Sequence, residues 1–170
     1  MKKKLLAASL LATSLAACGG DDHHDHADPI DAHDALAADA CAHVTETMEH
    51  VTAAADPAAA TNAVSETHQP FHVMLPLVDD AHAGAVLFTP DEAGEYAFFT
   101  DGAATLAILD GDAEVAIEAT ETVDACAELT TMHLADLELG TQYTLVFGPG
   151  AADAVVLVTL HAGDDGHGHE

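Results

Sequence analysis

Histidine and aspartate, two residue types that bind metal ions, are concentrated near both ends of the chain. They alternate in the stretch DDHHDHADPIDAHD near the start and return in GDDGHGHE at the end. Imidazole nitrogens and carboxylate oxygens together suit zinc, nickel and copper(II), so we predict weak binding of Zn, Cu or Ni. The predicted ligands are His23, His24, His26, His33, His167 and His169. The alternative is a solvated spacer that binds nothing.

A second set of candidate ligands lies further along the chain. His72 and Met74 place an imidazole and a thioether two residues apart, which suits copper(I). This His-x-Met pair resembles the end of the copper motif in periplasmic copper chaperones, and the resemblance implies a copper site with His50 as an upstream ligand. His68 has the same parity as His72 and would share its face in an extended strand. The upstream methionine spacing departs from the family pattern, and the alternative is that Met74 packs while His72 faces solvent.

Calcium is a less favoured ion. Asp79-Asp80 and Asp110-Gly111-Asp112 offer carboxylate oxygens, the ligands that calcium prefers. Neither stretch has the length or order of a calcium-binding loop, and turn formation accounts for the second one.

The first eighteen residues have the pattern of an export signal. Residues 2–4 are lysines, residues 5–15 form a short apolar run, and residues 15–18 read Leu-Ala-Ala-Cys. The pattern resembles a bacterial lipoprotein signal with its lipobox. The resemblance implies cleavage before Cys18, lipid on its sulfur and amino group, and membrane anchoring. Gly19 in place of aspartate favours the outer membrane, and a plain secreted protein is the alternative.

Cys41 and Cys126 remain if Cys18 is lipidated. Two thiols in an oxidising compartment usually form a disulfide, which we predict here. Closing so long a loop would stabilise the fold by about 4 kcal/mol in the chain-entropy model. The alternative is that Cys41 and His43 contribute sulfur and nitrogen to a metal site.

The charge balance excludes several functions. The chain has 3 Lys+Arg against 30 Asp+Glu, and the three basic residues are the lysines at 2–4 inside the predicted signal. The mature chain therefore has nothing to neutralise phosphates, which excludes nucleic-acid binding. An anionic surface concentrates cations instead, so the expected partners are divalent cations, and the membrane through the lipid.

No catalytic motif is present in the sequence. Ser65 is the only serine after the predicted signal, and no glycines surround it as in a nucleophile elbow. There is no glycine-rich phosphate loop followed by lysine and no His-Glu-x-x-His stretch. We therefore expect a protein that is not an enzyme and that requires no cofactor.

The fold that must position these ligands is predicted to be all-β. The eight strand candidates are 71–78, 85–89, 95–100, 105–109, 114–118, 129–134, 142–147 and 154–160. They are short apolar or alternating runs separated by Gly, Pro and Asp turn residues, which predicts an antiparallel β-sandwich, jelly-roll-like. In residues 154–160 the side chains of both alternating sets are mostly apolar, so both faces of the strand should be buried. This predicts a central strand.

The segment before the sandwich is ambiguous. Apolar residues recur at spacings of three and four, as on one helical stripe; they are Leu36, Ala40, Val44, Met48 and Val51. We expect a helical or irregular segment to about residue 49 and then a strand.

Segments 90–99 and 137–147 each place a turn glycine before a strand tyrosine. They resemble bacterial jelly-roll modules of the pre-peptidase C-terminal type, although the chain lacks their tryptophan and basic residues. The resemblance implies a non-catalytic binding or accessory module.

The predicted organisation has four parts, which are a signal peptide (1–17), a lipidated tether (18–34), one β-sandwich domain (35–162) and a disordered tail (163–170). Two functions fit it. The first is a lipid-anchored envelope protein that binds divalent metal, and the second is a surface adhesion or interaction module without a metal role.

Salt should stabilise this protein. Thirty carboxylates face almost no opposite charge, and physiological salt screens such repulsion beyond roughly 8 Å. We expect the midpoint of urea unfolding to rise as sodium chloride increases from millimolar to molar concentration. A midpoint that does not change with salt would contradict this.

Overall fold

The computed structural model describes residues 29–163 and contains one α-helix, one short 3₁₀ helix and eleven strands. The elements are α1 (Pro29–His43), β1 (Glu49–Thr52), a 3₁₀ turn (Pro57–Ala59), β2 (Phe71–Met74), β3 (Leu77–Val78), β4 (Ala81–Phe88), β5 (Gly94–Thr100), β6 (Leu106–Asp110), β7 (Ala113–Val115), β8 (Ala119–Thr122), β9 (Thr131–Leu137), β10 (Tyr143–Gly150) and β11 (Ala154–His161). The predicted signal peptide, residues 18–28 of the tether and residues 164–170 of the tail lie outside the described residues.

The strands form two sheets, which confirms the all-β sandwich. The first sheet has the order β1-β2-β11-β5-β9-β8 and the second the order β3-β4-β10-β6-β7. The β1–β2 pair is parallel and the other pairs are antiparallel. A core between the sheets contains Phe71, Tyr96 and Phe98 of the first sheet and Phe88 and Phe147 of the second.

The structure has more strands than the eight predicted from 71 onward because one predicted strand is divided between the sheets and β8 was not predicted, while β1 confirms the strand expected after residue 49. The run 71–78 gives β2 in the first sheet and β3 in the second, and Pro76, which has no N–H for a ladder, lies between them. The run 114–118 ends after Val115 in β7, and the chain then crosses to the first sheet as β8. Alternation alone does not reveal which sheet a short strand joins.

Helix α1 covers the outer face of the first sheet. Ala37 and Ala40 of the helix and the following Val44 are buried against Phe99 and Val158 of the sheet. Strands β5 and β11 are thus buried on both faces, which explains the two-sided apolar pattern of β11, a central strand as predicted. The helical stripe was correct as far as Val44. The helix begins at Pro29, within the stretch expected as tether, and ends at His43.

A disulfide joins Cys41 of α1 to Cys126 in the connection between β8 and β9, as predicted. It spans a sequence separation of 85, and closing a loop of that size stabilises the fold by between about 4 and 5 kcal/mol in the chain-entropy model. A disulfide indicates an oxidising compartment outside the cytosol, extracellular or periplasmic.

Within residues 29–163, no helix has the length and apolar character needed to cross a membrane.

His133 of β9 should make stability depend on pH. Its side chain is buried, its Nδ1 lies 3.1 Å from Oγ1 of Thr120, and burial lowers its pKa because the charged form is desolvated. The unfolded chain therefore binds this proton more readily than the folded protein does. The contribution of His133 to stability is complete above its ordinary pKa of about 6.5 and decreases as the pH falls below that value.

We expect His133→Gln to weaken the fall in unfolding free energy between pH 7 and pH 5, measured by urea unfolding at each pH. The matched control is His50→Gln, which changes an exposed histidine. A pH dependence identical in His133→Gln and the unmodified protein would show that burial of this imidazole has no such effect.

Candidate metal centre

A cluster of three metal-binding side chains forms where α1 meets the loop before β2. Asp39 and His43 are four residues apart on α1, a spacing that places side chains on one helical face. His68 reaches them from the loop between the 3₁₀ turn and β2. Each of the three offers one ligand atom, and these atoms all lie within 4.8 Å of one another.

The distances within this cluster fit a tetrahedral ion. Nε2 of His43 lies 3.1 Å from Nδ1 of His68 and 3.6 Å from Oδ1 of Asp39. Nδ1 of His68 lies 3.5 Å from Oδ2 of Asp39. Ligand atoms about 2.1 Å from a tetrahedral zinc ion are roughly 3.4 Å apart. The two histidine distances end on different oxygens of Asp39, so its carboxylate would have to rotate to bring one oxygen near both rings.

Glu46 orients His43 from outside the cluster. Oε1 of Glu46 lies 3.1 Å from Nδ1 of His43, the ring nitrogen that does not face His68. A carboxylate in this place accepts the Nδ1 proton of a neutral ring and leaves the Nε2 lone pair free for a metal. In that tautomer Nε2 of His43 is an acceptor, and Nδ1 of His68, 3.1 Å away, would be the donor of the pair.

The backbone of His68 is held in an uncommon conformation. Its φ is 63°, in the left-handed region that few residues other than glycine adopt. Its N–H donates to the carbonyl of Thr159 in β11 at 2.9 Å. The loop thus fixes the imidazole relative to the first sheet, and backbone strain of this kind is concentrated at functional sites.

The cluster is open to solvent on one side. The exposed side-chain fractions are 22% for His43, 40% for His68 and 49% for Asp39. Three protein ligands with one side exposed leave room for water or another donor as a fourth ligand.

The structure places the predicted site residues in three different settings. His68 belongs to the cluster, but its partners are Asp39 and His43 rather than His72. The parity argument for His68 and His72 was wrong because His68 lies in a loop, outside β2. His50 and His72 instead face each other across the β1–β2 pair, with ring centroids 5.0 Å apart.

Met74 lies two residues after His72 on the same strand, and 38% of it is exposed. His33 lies on α1, where its Nδ1 is 3.1 Å from both carboxylate oxygens of Glu121 in β8. The other predicted ligands, His23, His24, His26, His167 and His169, lie outside the described residues.

The structure decides two of the open alternatives. The disulfide occupies the sulfur of Cys41, so a site made from Cys41 and His43 is excluded in the oxidised protein. Asp110-Gly111-Asp112 forms the turn between β6 and β7, with Gly111 at φ 59°. Asp79 and Asp80, at φ 49° and 71°, connect β3 to β4. Both aspartate pairs therefore serve as turns.

Sequence reasoning missed Asp39 as a ligand. The available signal was the run Asp39-x-x-x-His43-x-x-Glu46, in which a helix places Asp39 and His43 on one face and Glu46 follows in the turn after the helix. The contact of His43 with His68 spans 25 residues, and no local pattern predicts it.

The sequence matches no model of a known protein family, and it matches no curated protein. The functional interpretation therefore depends on the geometry and charge of these residues.

Proposed function

We propose that this protein is a non-enzymatic, lipid-anchored β-sandwich of the cell envelope that binds a divalent transition-metal ion at Asp39, His43 and His68. The observation that carries the proposal is the convergence of two imidazoles and one carboxylate. Nε2 of His43 and Nδ1 of His68 lie 3.1 Å apart, and each lies 3.5 or 3.6 Å from one of the two oxygens of Asp39, close to the spacing of a tetrahedral site. The support of His43 by Glu46 adds the outer carboxylate that metal-binding histidines usually have.

The ligand types favour zinc, nickel or copper(II). Two imidazoles and one carboxylate are borderline donors, whereas calcium requires six to eight oxygen ligands. The acidic surface raises the local concentration of any cation. The His/Asp-rich termini add further weak ligands of the same kind.

Binding without catalysis is favoured by the exposure of the cluster. Asp39 and His68 are each roughly half exposed, whereas small-molecule sites usually bury most of the ligand surface. The described residues contain no lysine or arginine to stabilise a developing anion. The cluster thus suits capture of an ion.

Copper(I) binding at His50 and His72 is a second candidate function. The observation that favours it is their direct pairing across β1 and β2, with Met74 further along the same strand as a soft sulfur ligand. Nδ1 of His72 is buried without a hydrogen-bond partner among the described residues.

A zinc titration tests the main proposal. The protein is purified without a histidine tag and lacks residues 21–28 and 164–170, so that α1 stays whole while the terminal histidines are removed. We expect one zinc ion to bind per chain in calorimetry at pH 7. His43→Gln and His68→Asn should weaken zinc by more than the about 10- to 100-fold that outer-shell partners contribute.

Asparagine is chosen at position 68 because it tolerates a left-handed φ, so the fold is retained. The matched control, His50→Gln with His72→Gln, should bind zinc as the parent does. Loss of zinc in this control alone would favour the second candidate site. If binding disappears when the termini are removed, the cluster is not the site.

The lipid anchor is supported by the lipoprotein-like pattern of residues 1–18. We expect mass spectrometry of the protein from its native membrane to find an N-terminal peptide that begins at Cys18 and carries a diacylglyceryl group and an amide-linked acyl chain. Cys18→Ser should keep residues 1–17 attached. An unmodified Cys18 in the unaltered protein would contradict the anchor.

A further inference from the structure

The disulfide and the metal cluster share one helix turn. Cys41 lies between Asp39 and His43 on α1. With 3.6 residues per turn, the side chain of His43 is rotated by about 40° around the helix axis from that of Asp39. The side chain of Cys41 is rotated by about 200° from that of Asp39. The two ligands therefore leave one side of the helix while the disulfide leaves the other, toward Cys126. The disulfide can fix the helix without entering the cluster.

Residues 32–43 of α1, whose side chains the structure describes, make few other strong attachments to the sheet. Those buried against it are Ala37 and Ala40, Leu36 is partly buried, and Val44 is buried just after the helix. Alanine buries little apolar area, and the hydrophobic stabilisation is proportional to that area. The His33–Glu121 pair is a surface contact, and surface ion pairs contribute little to the free energy of folding. Among the contacts of residues 32–43, the disulfide to the β8–β9 connection is thus the strongest single link between α1 and the rest of the domain.

The third ligand is held independently of the helix. His68 is bonded through its N–H to Thr159 of β11, a fully buried residue in the first sheet. When α1 moves away from the sheet, Asp39 and His43 move with it while His68 stays. The cluster therefore forms only while the helix is docked.

We propose that the Cys41–Cys126 disulfide controls metal affinity at Asp39, His43 and His68, so that reduction by a dithiol weakens the hold on the ion. The inference rests on the proposed function. Both cysteines are partly exposed, which gives a thiolate access to the sulfur.

The redox step is an ordinary exchange. One thiolate of the dithiol attacks a disulfide sulfur to form a mixed disulfide, and its second thiol resolves that bond. Two electrons and two protons pass to Cys41 and Cys126, which become thiols, and the dithiol becomes its own disulfide. The helix then loses its covalent link to the β8–β9 connection, and the ion is released unchanged.

Thermodynamic linkage makes the effect reciprocal. If the disulfide tightens metal binding by some factor, bound metal must favour the disulfide over the two thiols by the same factor. The coupling can therefore be measured either as a change in zinc affinity or as a change in the thiol–disulfide equilibrium.

The first measurement compares zinc affinity in the oxidised full-length mature protein and in the double variant Cys41→Ala with Cys126→Ala. We expect zinc binding in the variant to be weaker by about 5- to 150-fold, the usual range for coupled sites. Circular dichroism and amide NMR spectra check that the variant retains the sandwich. Equal affinity, or tighter binding without the disulfide, would overturn the proposal.

The second measurement applies even where the double variant fails to fold. The thiol–disulfide equilibrium of the unaltered protein is measured in dithiol redox buffers, with free zinc either removed or held at saturation. Zinc should shift the equilibrium toward the disulfide by the factor by which zinc binds the oxidised protein more tightly than the reduced protein. The matched control, His43→Gln with His68→Asn, should show no zinc-dependent shift. An equal shift in that control would mean that zinc acts elsewhere.

The two proposals fail in different ways. Zinc binding at the cluster that is indifferent to the disulfide overturns this inference and leaves the proposed function intact. Absence of zinc binding at the cluster in the oxidised protein overturns both.

Discussion

The absence of lysine and arginine after residue 4 is the constraint on which the rest of this structure depends. Carboxylates in the described part of the chain can pair only with histidine, as in His33–Glu121 and His161–Glu92. Surface ion pairs contribute little in any protein, but here net repulsion also opposes the compact state. The fold therefore relies on interactions that carry no charge, which are the sheet ladders, the two apolar cores and the disulfide.

The two apolar cores differ in the size of the side chains that stabilise them. The core between the sheets is built from large side chains such as Phe88, Phe98 and Phe147, which bury much area per residue. The core under α1 uses small helix residues against the larger Phe99 and Met132 of the sheet. The second core buries less area from the helix side, and the disulfide reinforces it by limiting the freedom of the unfolded chain.

The sequence predicted the features that depend on local chemistry. Alternation and turn residues gave the sandwich, and two-sided apolarity gave the central position of β11. Cysteine count and compartment gave the disulfide. The division of 71–78 at Pro76 and the end of β7 at Val115, four residues before β8 joins the other sheet, depend on which sheet offers a free edge. His68 and His43 were considered as metal ligands from the sequence, but with other partners. Their contact depends on a loop conformation with a left-handed residue, and no periodic pattern encodes that.

Histidine can help to neutralise nearby carboxylates in two mutually exclusive ways. A protonated imidazole supplies one positive charge to neighbouring carboxylates, and a neutral imidazole supplies a lone pair to a metal. At the cluster, protonated His43 and His68 would bring two positive charges close to Asp39 and Glu46, at the cost of placing like charges 3.1 Å apart. A divalent ion brings the same two charges to one point between the ligands and removes that repulsion. Because residues 29–163 contain no lysine or arginine, an ion held by neutral histidines would be the more effective counter-charge for these carboxylates.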